Sequence, residues 1–569
     1  MRHILTALLL LLLPVSAQPQ IAVNGHVAYY DNLISTWLAT VPERLFHKDC
    51  ELTVSTGPSA VSRHLFRNLC ADSTYTITIP SASAEGTAKQ EHLRFTFLPV
   101  VQLLPSAEED RSASSTYFGY DYRPALVLFS HPDSAATDTL TARVKWRGGT
   151  TNAANKHKRN YKLNFDEDQR FFGLRNDDKW MLDAGQPDVF RLRNRIVMDL
   201  WNKMARKPYY SEQEPKALNG VRGQVVEVFV GSEWMGIYNF SEFMDRKQLK
   251  LKKVDSQTGE IRGCLYKGVS WGKVQFFDYF DSYDNTKDTF YGYEMKYPEL
   301  GDDSDTVDWA PLVEANNFAN SSTDEEFKEH VEDYFDMPVV MDYNIFYNVV
   351  NAVDNTGKNM YWAVHDKTQT QRLTPTPWDL DATFGQRWGG QLIREVDEGF
   401  YNSPEFRMDF ELALTYRFFR DNFNDYIGQM NERYRQLRQP GQPLHTDSIL
   451  AIVDHYYHAV KHSGAAAREE AKWSGDSDVW GDVIDFDAEY AYICDWIRRR
   501  MDFIDQTELP LFYKQSYFYE LDISTQVTMA SLAGRSSVYD LSGRKVTTGS
   551  MKGLNPGLYI CGGRKYFAK

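Results

Sequence analysis

The sequence predicts an α+β fold: a two-lobed body with a mixed β-sheet N-terminal lobe and a helical C-terminal lobe, flanked by small β domains. Short alternating apolar stretches crowd the first half, long helical stretches fill residues 404–506, and the two kinds are segregated along the chain. A cleft between the lobes is the natural ligand site.

The elements follow in order. Met1-Arg2-His3, the apolar run Ile4 to Leu13 and the small residues of Val15-Ser16-Ala17 predict a signal peptide over 1–17, cut before Gln18, with a retained anchor as the lesser reading. No other long uncharged apolar run occurs, so the mature chain is expected to be exported, secreted or at the cell surface, with no transmembrane segment. Residues 18–104 read as a β domain, from alternating stretches such as Thr74 to Ile79 and Leu93 to Leu98. The polar stretch Ser106 to Ser115 marks its edge, and the body runs over 105–507.

The body opens with strands at Ala125 to Phe129, Ala142 to Trp146 and Tyr161 to Phe165. A helix follows, with Asp188 as its expected N-cap and Leu192, Ile196, Val197, Leu200 and Met204 on one face. Val225 to Val230 and Met235 to Phe240 form an expected hairpin around Gly231-Ser232. Ser403-Pro404-Glu405 then starts the helical part, with helices expected over 404–437, 446–472 and 486–506. Residues 508–530 form a linker, and short strands separated by turn residues make 531–569 a small β module.

The chain has 569 residues, 42% hydrophobic and 14% aromatic, enough for more than one core. Its net charge of −15 argues against a nucleic-acid or anionic-membrane footprint, although Lys156-His157-Lys158-Arg159 is a local basic cluster. Five cysteines match no metal-ligand spacing. Cys50 and Cys70 share one small segment, where a bridge and two free thiols are both open readings.

Chemistry concentrates in Asp354-Asn355-Thr356-Gly357-Lys358-Asn359 and in Pro377-Trp378-Asp379-Leu380-Asp381. In a magnesium-dependent phosphoryl-transfer site one carboxylate orients the attacking hydroxyl, while an amide oxygen and further carboxylates hold metal against the phosphates. Asp354 and Asn359 have the D-x-x-x-x-N spacing of a kinase catalytic loop, but no His-Arg precedes the Asp, and GxGxxG and DFG are both missing. Alone, Asp-Asn-Thr-Gly is a surface turn. Its setting between an aromatic-rich helix, Asp342 to Val350, and the strand Met360 to Val364 favours a buried functional loop. Gly148-Gly149-Thr150-Thr151 reads equally as a loop over phosphates or a plain turn.

Several segments, in this order, resemble the CotH kinase family over roughly 100–507: Arg147-Gly148 with Lys158 to Leu163, Asp178 to Leu182, Leu192-Arg193-Asn194, Val226 to Phe229 with Gly236-Ile237-Tyr238 and Ser241-Glu242, Leu265-Tyr266-Lys267, the Asp354 loop and Trp378-Asp379-Leu380-Asp381. The resemblance implies a degenerate protein-kinase-like fold that transfers phosphate from ATP, with Mg²⁺ or Mn²⁺, to serine or threonine hydroxyls of a protein substrate. It implies Asp354 as catalytic, Asn359 and Asp379 as metal ligands with Asp381 assisting, and Lys162 paired with Glu242 on the nucleotide phosphates, where an ordinary surface pair is the competing reading. Lys267 competes for that role, and Arg147 is placed to contact phosphate. The tail, with Leu541-Ser542-Gly543-Arg544-Lys545-Val546 and Gly557-Leu558-Tyr559-Ile560, resembles the sorting domain of the type IX secretion system and implies the secretion machinery as a partner. The rival readings are a non-catalytic adhesin or carbohydrate-binding protein on a kinase-like scaffold, and a glycoside hydrolase using a carboxylate pair among Asp354, Asp379 and Asp381.

Overall fold

The computed structural model describes residues 21–56, 61–79, 88–106, 117–270, 279–352, 354–387, 390–394, 396 and 413–509, and the tail strands 537–540, 545–548, 557–561 and 564–568. The expected signal peptide, most of the polar edge after Ser106, the helix start at Ser403 and the linker from residue 510 onward lie outside these residues.

Two four-stranded sheets form the leading domain: one contains Cys50–Ser55 and Val61–Phe66, the other Thr36–Thr40, Lys89–Thr96 and Tyr75–Ile79. Their alternating apolar residues meet in one core of Trp37, Leu52, Val54, Phe66, Leu93 and Phe95, with the Phe66 and Phe95 rings edge to face at 5.0 Å. Cys50 and Cys70 are free thiols.

The next seven strands close into a barrel, in the order Arg123–Ser130, Asp138–Arg147, Asn160–Arg170, Asn176–Asp183, Glu233–Ser241, Gly223–Val230 and Val100–Pro105. Val100–Pro105, assigned above to the leading domain, closes it by pairing in parallel with Gly223–Val230. A strand this apolar finds partners on both edges here, so the barrel begins at Val100. Alternation is strict: Val144, Tyr161, Leu163, Phe165, Trp180, Leu182 and Phe240 fill the interior, with Trp180 stacked on Phe240 at 5.0 Å. The intervening residues, among them Lys145, Arg147, Asn160 and Lys162, face outward.

Asp188 is not the N-cap of the following helix, which spans Arg193–Met204. Its carboxylate instead accepts the Arg193 backbone N–H at 2.9 Å and the Arg193 guanidinium at 2.6 Å, fixing the helix start from a preceding turn.

A second sheet, unforeseen as a unit, runs Thr289–Phe290, Tyr293–Tyr297, Cys264–Gly268, Met360–Val364 and Thr374–Pro377. Helices follow at Ala310–Ser321, Asp324–Tyr334 and Met337–Val350, then Ala413–Asp421, Tyr426–Leu437, Thr446–His462, Ala465–Trp473 and Phe486–Thr507. The stretches expected as two long helices are each broken where the backbone turns left-handed, at Asn422, Asn424 and Asp425 and at Gly464. Among the described residues no helix is long and apolar enough to cross a membrane. The tail strands pair as a four-stranded sheet.

Candidate active site

Two turns at the edge of the second sheet carry the acidic segments. The helix Met337–Val350 ends at left-handed Asn351, and the chain folds through Asp354-Asn355 into Met360–Val364. Asn355 is buried, and its amide donates to the Asn359 carbonyl at 2.9 Å and the Trp378 carbonyl at 2.5 Å. One side chain thus ties both turns together. Asn359 and Asp379 have φ of 55° and 59°, a region that Asn and Asp tolerate better than other non-glycine residues and that often marks functional sites. The Asn359 N–H donates to the Gly268 carbonyl at 3.0 Å, and a Cβ on Gly268 would stand 2.1 Å from the Gly357 carbonyl oxygen. Only glycine permits that approach.

Between these turns and the outer face of the barrel lies a cleft of about 590 Å³. The barrel wall supplies Arg147, Gly148, Gly149, Thr151, Asn160 and Asp183; the sheet wall supplies Lys267, Lys296, Lys358, Asn359, Asp379 and Asp381. Of the predicted site residues, Arg147, Lys267, Asn359, Asp379 and Asp381 therefore share one cleft. Asp354 is buried beside it: its Oδ2 accepts from Asn359 Nδ2 at 2.6 Å and from Lys358 Nζ at 3.2 Å. Asn194, at the start of the helix Arg193–Met204, reaches both walls. It donates to Asp183 Oδ2 at 2.7 Å and accepts the Leu380 N–H at 3.1 Å.

The acids repel one another. Burial pushes the Asp381 carboxyl well above the usual range, and the neighbouring Asp379, Asp354 and Asp183 push it further. Asp183 is raised by burial and then by Asp379, against the hydrogen bonds from Asn194 and the Gly185 N–H. Opposite them, burial lowers the Lys267 ammonium to about 8, with Asp379 holding it up and Arg147 and Lys296 pressing it down.

Lys162 and Glu242 do not form the expected pair. Glu242 is fully buried and held by the Arg222 guanidinium at 2.6 Å, the Arg175 and Arg222 backbone N–H groups, each at 2.9 Å, and the Gln248 amide at 3.0 Å. Lys162 lies on the barrel's outer face against the Phe243 ring at 5.5 Å. Glu242 is therefore occupied as a structural carboxylate, and of the predicted cations Lys267 and Arg147 line the cleft, beside Lys296 and Lys358. Asp183, Asn194, Asn355 and Lys358 complete the site and are not foreseen from sequence, although Asn194, Asn355 and Lys358 stand inside the motifs given above.

The CotH kinase protein family model matches residues 144–504, which carry both acidic turns and every residue that lines the cleft. This chain belongs to the CotH kinase family. No curated protein matches the chain.

In this CotH kinase family member the cleft acids do not form a closed cage. Among the described residues, the carboxylate or imidazole sets whose ligand atoms all lie within 4.8 Å are His157, Asp476 and Asp478, and Asp168, Asp177 and Asp178. Both have partners: Asp478 Oδ2 accepts the backbone N–H groups of His157 and Lys158 at 2.8 and 2.7 Å, and Asp177 meets Arg175 and Lys247, each at 2.7 Å. The donors of the cleft are all oxygens, the kind that hard divalent cations take. A larger cavity of about 970 Å³ lies between the leading domain, the barrel and the helix Ala465–Trp473, but none of the cleft acids borders it.

Proposed function

We propose that this protein is an exported atypical kinase that moves the ATP γ-phosphate to serine or threonine hydroxyls of a protein substrate, with the barrel and the helical part as two kinase-like lobes. The observation that carries this reading is the meeting of Asn359, Asp379 and Asp381 with Arg147 and Lys267 in a single cleft, with Asp354 buried beside it and bonded to Asn359. Asp354, oriented by Asn359 and Lys358, aligns the acceptor hydroxyl and takes its proton. Asp379 and Asp381, with the Asn359 amide oxygen, would hold Mg²⁺ or Mn²⁺. The donor set fits such an ion in kind, because its donors are oxygens and the mutual repulsion of the acids would be relieved by positive charge. Arg147 and Lys267 would grip the phosphates, and Gly148, whose φ is 115°, lets the backbone pass close to them. When bound, the metal and nucleotide supply the reacting phosphoryl group and neutralise the charge that spreads during transfer. The loose transition state asks the chain's own residues mainly for positioning.

The leading segment 1–17 and the sorting-like tail support export and a role at the cell surface. The test is label transfer from γ-labelled ATP with Mg²⁺ or Mn²⁺ to the protein itself or an added acceptor. Transfer that is metal-dependent and lost in Asp354→Ala supports the reading. Undiminished labelling in that variant, or sugar binding without any nucleotide binding, sinks it.

A further inference from the structure

The barrel face that leads into the cleft is crowded with cations. On the strand Asp138–Arg147 the outward positions are Arg143, Lys145 and Arg147. Across from them the register sets Asn164 and then Lys179 beside Arg143, Lys162 directly opposite Lys145, and Asn160 opposite Arg147. Arg147 and Asn160 border the cleft, and Lys267 and Lys296 continue the positive charge on its other wall. Directly opposed like charges on neighbouring strands are destabilising, so the Lys145–Lys162 pair is a cost the fold carries.

Little on the described surface offsets that cost. None of Arg143, Lys145, Lys162 or Lys179 has an ion-pair partner among the described residues, and Lys296 is held by Glu294 at 2.5 Å. The cations gather on an aromatic ring instead: Lys145, Arg143 and Lys162 stand 4.7, 5.4 and 6.0 Å from the centre of Tyr122. Glu299 is the acid felt by Lys162, and the track ends where Asp166 accepts from Thr141 at 2.6 Å. Burial, and next the charge of Lys179, lower the Lys162 ammonium, which places these groups in one electrostatic neighbourhood. From Arg143 to Arg147 the track spans about 13 Å, at roughly 3.3 Å per residue. That is room for an extended tetrapeptide beyond the cleft. All this sits on a chain with 78 acidic and 63 basic side chains, whose net charge is against an anionic partner, so a local cationic face is what such a partner needs.

We propose that this track seats an acidic stretch of the acceptor polypeptide, a run of aspartate and glutamate that leads its hydroxyl residue into the cleft. The proposal rests on the kinase reading for the chemistry but not for the binding, and the experiment separates the two. Three labelled serine peptides, flanked by acidic, neutral or basic residues, are titrated against the full chain by fluorescence anisotropy and then offered as acceptors with MgATP. The variants are Arg143→Glu/Lys145→Glu and, separately, Lys179→Glu. All three positions lie outside the cleft, and circular dichroism and MgATP binding report that each variant is folded.

The expected result is preferential binding and labelling of the acidic peptide, weakened at least tenfold in the double variant and by raised salt, with MgATP affinity unchanged. Equal use of all three peptides, preference for the basic one, or an unmoved Kd in the folded double variant would overturn the track. Equal binding of single-stranded DNA of the same charge would overturn it in favour of a nucleic-acid surface. Acidic-peptide binding without any phosphate transfer removes the kinase reading and leaves the track; transfer without acidic preference does the reverse.

Discussion

Two lysines of weakened basicity, one buried and one half-buried at the cleft, stand in opposite company. Lys158, fully buried and lowered to about 7 by burial, is paired: its Nζ donates to Glu469 at 2.6 Å and to the Ile237 carbonyl at 2.9 Å, while Arg191 meets the same Glu469 oxygen at 2.8 Å. Glu469 Oε2 accepts the Ile237 N–H at 2.8 Å, so every charge at the joint between the helix Ala465–Trp473 and the barrel hairpin is answered from within the chain. Lys267 is lowered to about 8, also by burial, yet it has no ion-pair partner among the described residues, and Arg147 and Lys296 press on it. Burial alone therefore does not mark a functional group. The mark is a lysine left without a direct ion pair, facing acids that are crowded by other acids across one cleft.

That contrast breaks most sharply at the carboxylates. Asp354→Ala is expected to lower kcat by about 10²–10⁴-fold while nucleotide affinity and melting temperature hold, the size of loss typical for a positioned acid–base group. If the loss appeared in the melting temperature instead, Asp354 would belong with Glu469. Conversely, Glu469→Ala strands Lys158 and Arg191 without their anion and should cost about 3–5 kcal/mol in urea unfolding. Activity per folded molecule should persist, and Lys158→Met/Glu469→Leu should recover only the share of the loss due to Lys158, because buried Arg191 stays without its anion. Gly236→Ala comes next: its Cβ would meet Glu469 Oε2 at 2.1 Å from a backbone at φ 111°, and about 1–3 kcal/mol of overpacking is expected, read by the same unfolding curves.

The smallest effects are in pH, and they have opposite signs. For Lys158 the folded value, about 7, lies below the ordinary 10.5, so the unfolded chain binds more protons across that window and stability gains as pH rises through it. Subtracting the curve of Lys158→Met isolates this gain, which a flat difference would refute. For Lys267 the same rise in pH removes the charge proposed to grip phosphate, so on that proposal kcat/KM for ATP should fall above about 8. A profile level to pH 10 in wild type would take Lys267 out of the nucleotide site.

How much of this is readable from sequence depends on distance along the chain. The D-x-x-x-x-N spacing and Trp378-Asp379-Leu380-Asp381 are local patterns, and the structure sets Asn359, Trp378, Asp379 and Asp381 in one cleft with Asp354 beside it. The hairpin and the final helix are equally local. The barrel's closure is not, because Val100–Pro105 must find Gly223–Val230 across more than a hundred residues. Lys162 and Glu242 fail as a pair for a related reason: alternation says that each lies on a strand or at its end but not which cations surround Glu242, and Arg222, twenty residues before it, claims it first. Thr323 and Glu326 form a capping box that announces the helix Asp324–Tyr334, a signal in plain view. Asp183 carries no such signal, since only the packing of the barrel against the second sheet brings it to the cleft beside Asp379.

The two asparagines that stitch the cleft have a consequence for kinetics. Asn355 makes the Asp354 and Asp379 turns one body, and Asn194 fastens that body to Asp183 on the barrel. A pocket framed on both sides by amide struts is a preformed slot and not a pair of jaws, so capture of nucleotide should run as a single relaxation whose rate climbs linearly with concentration, with no plateau set by a closing step.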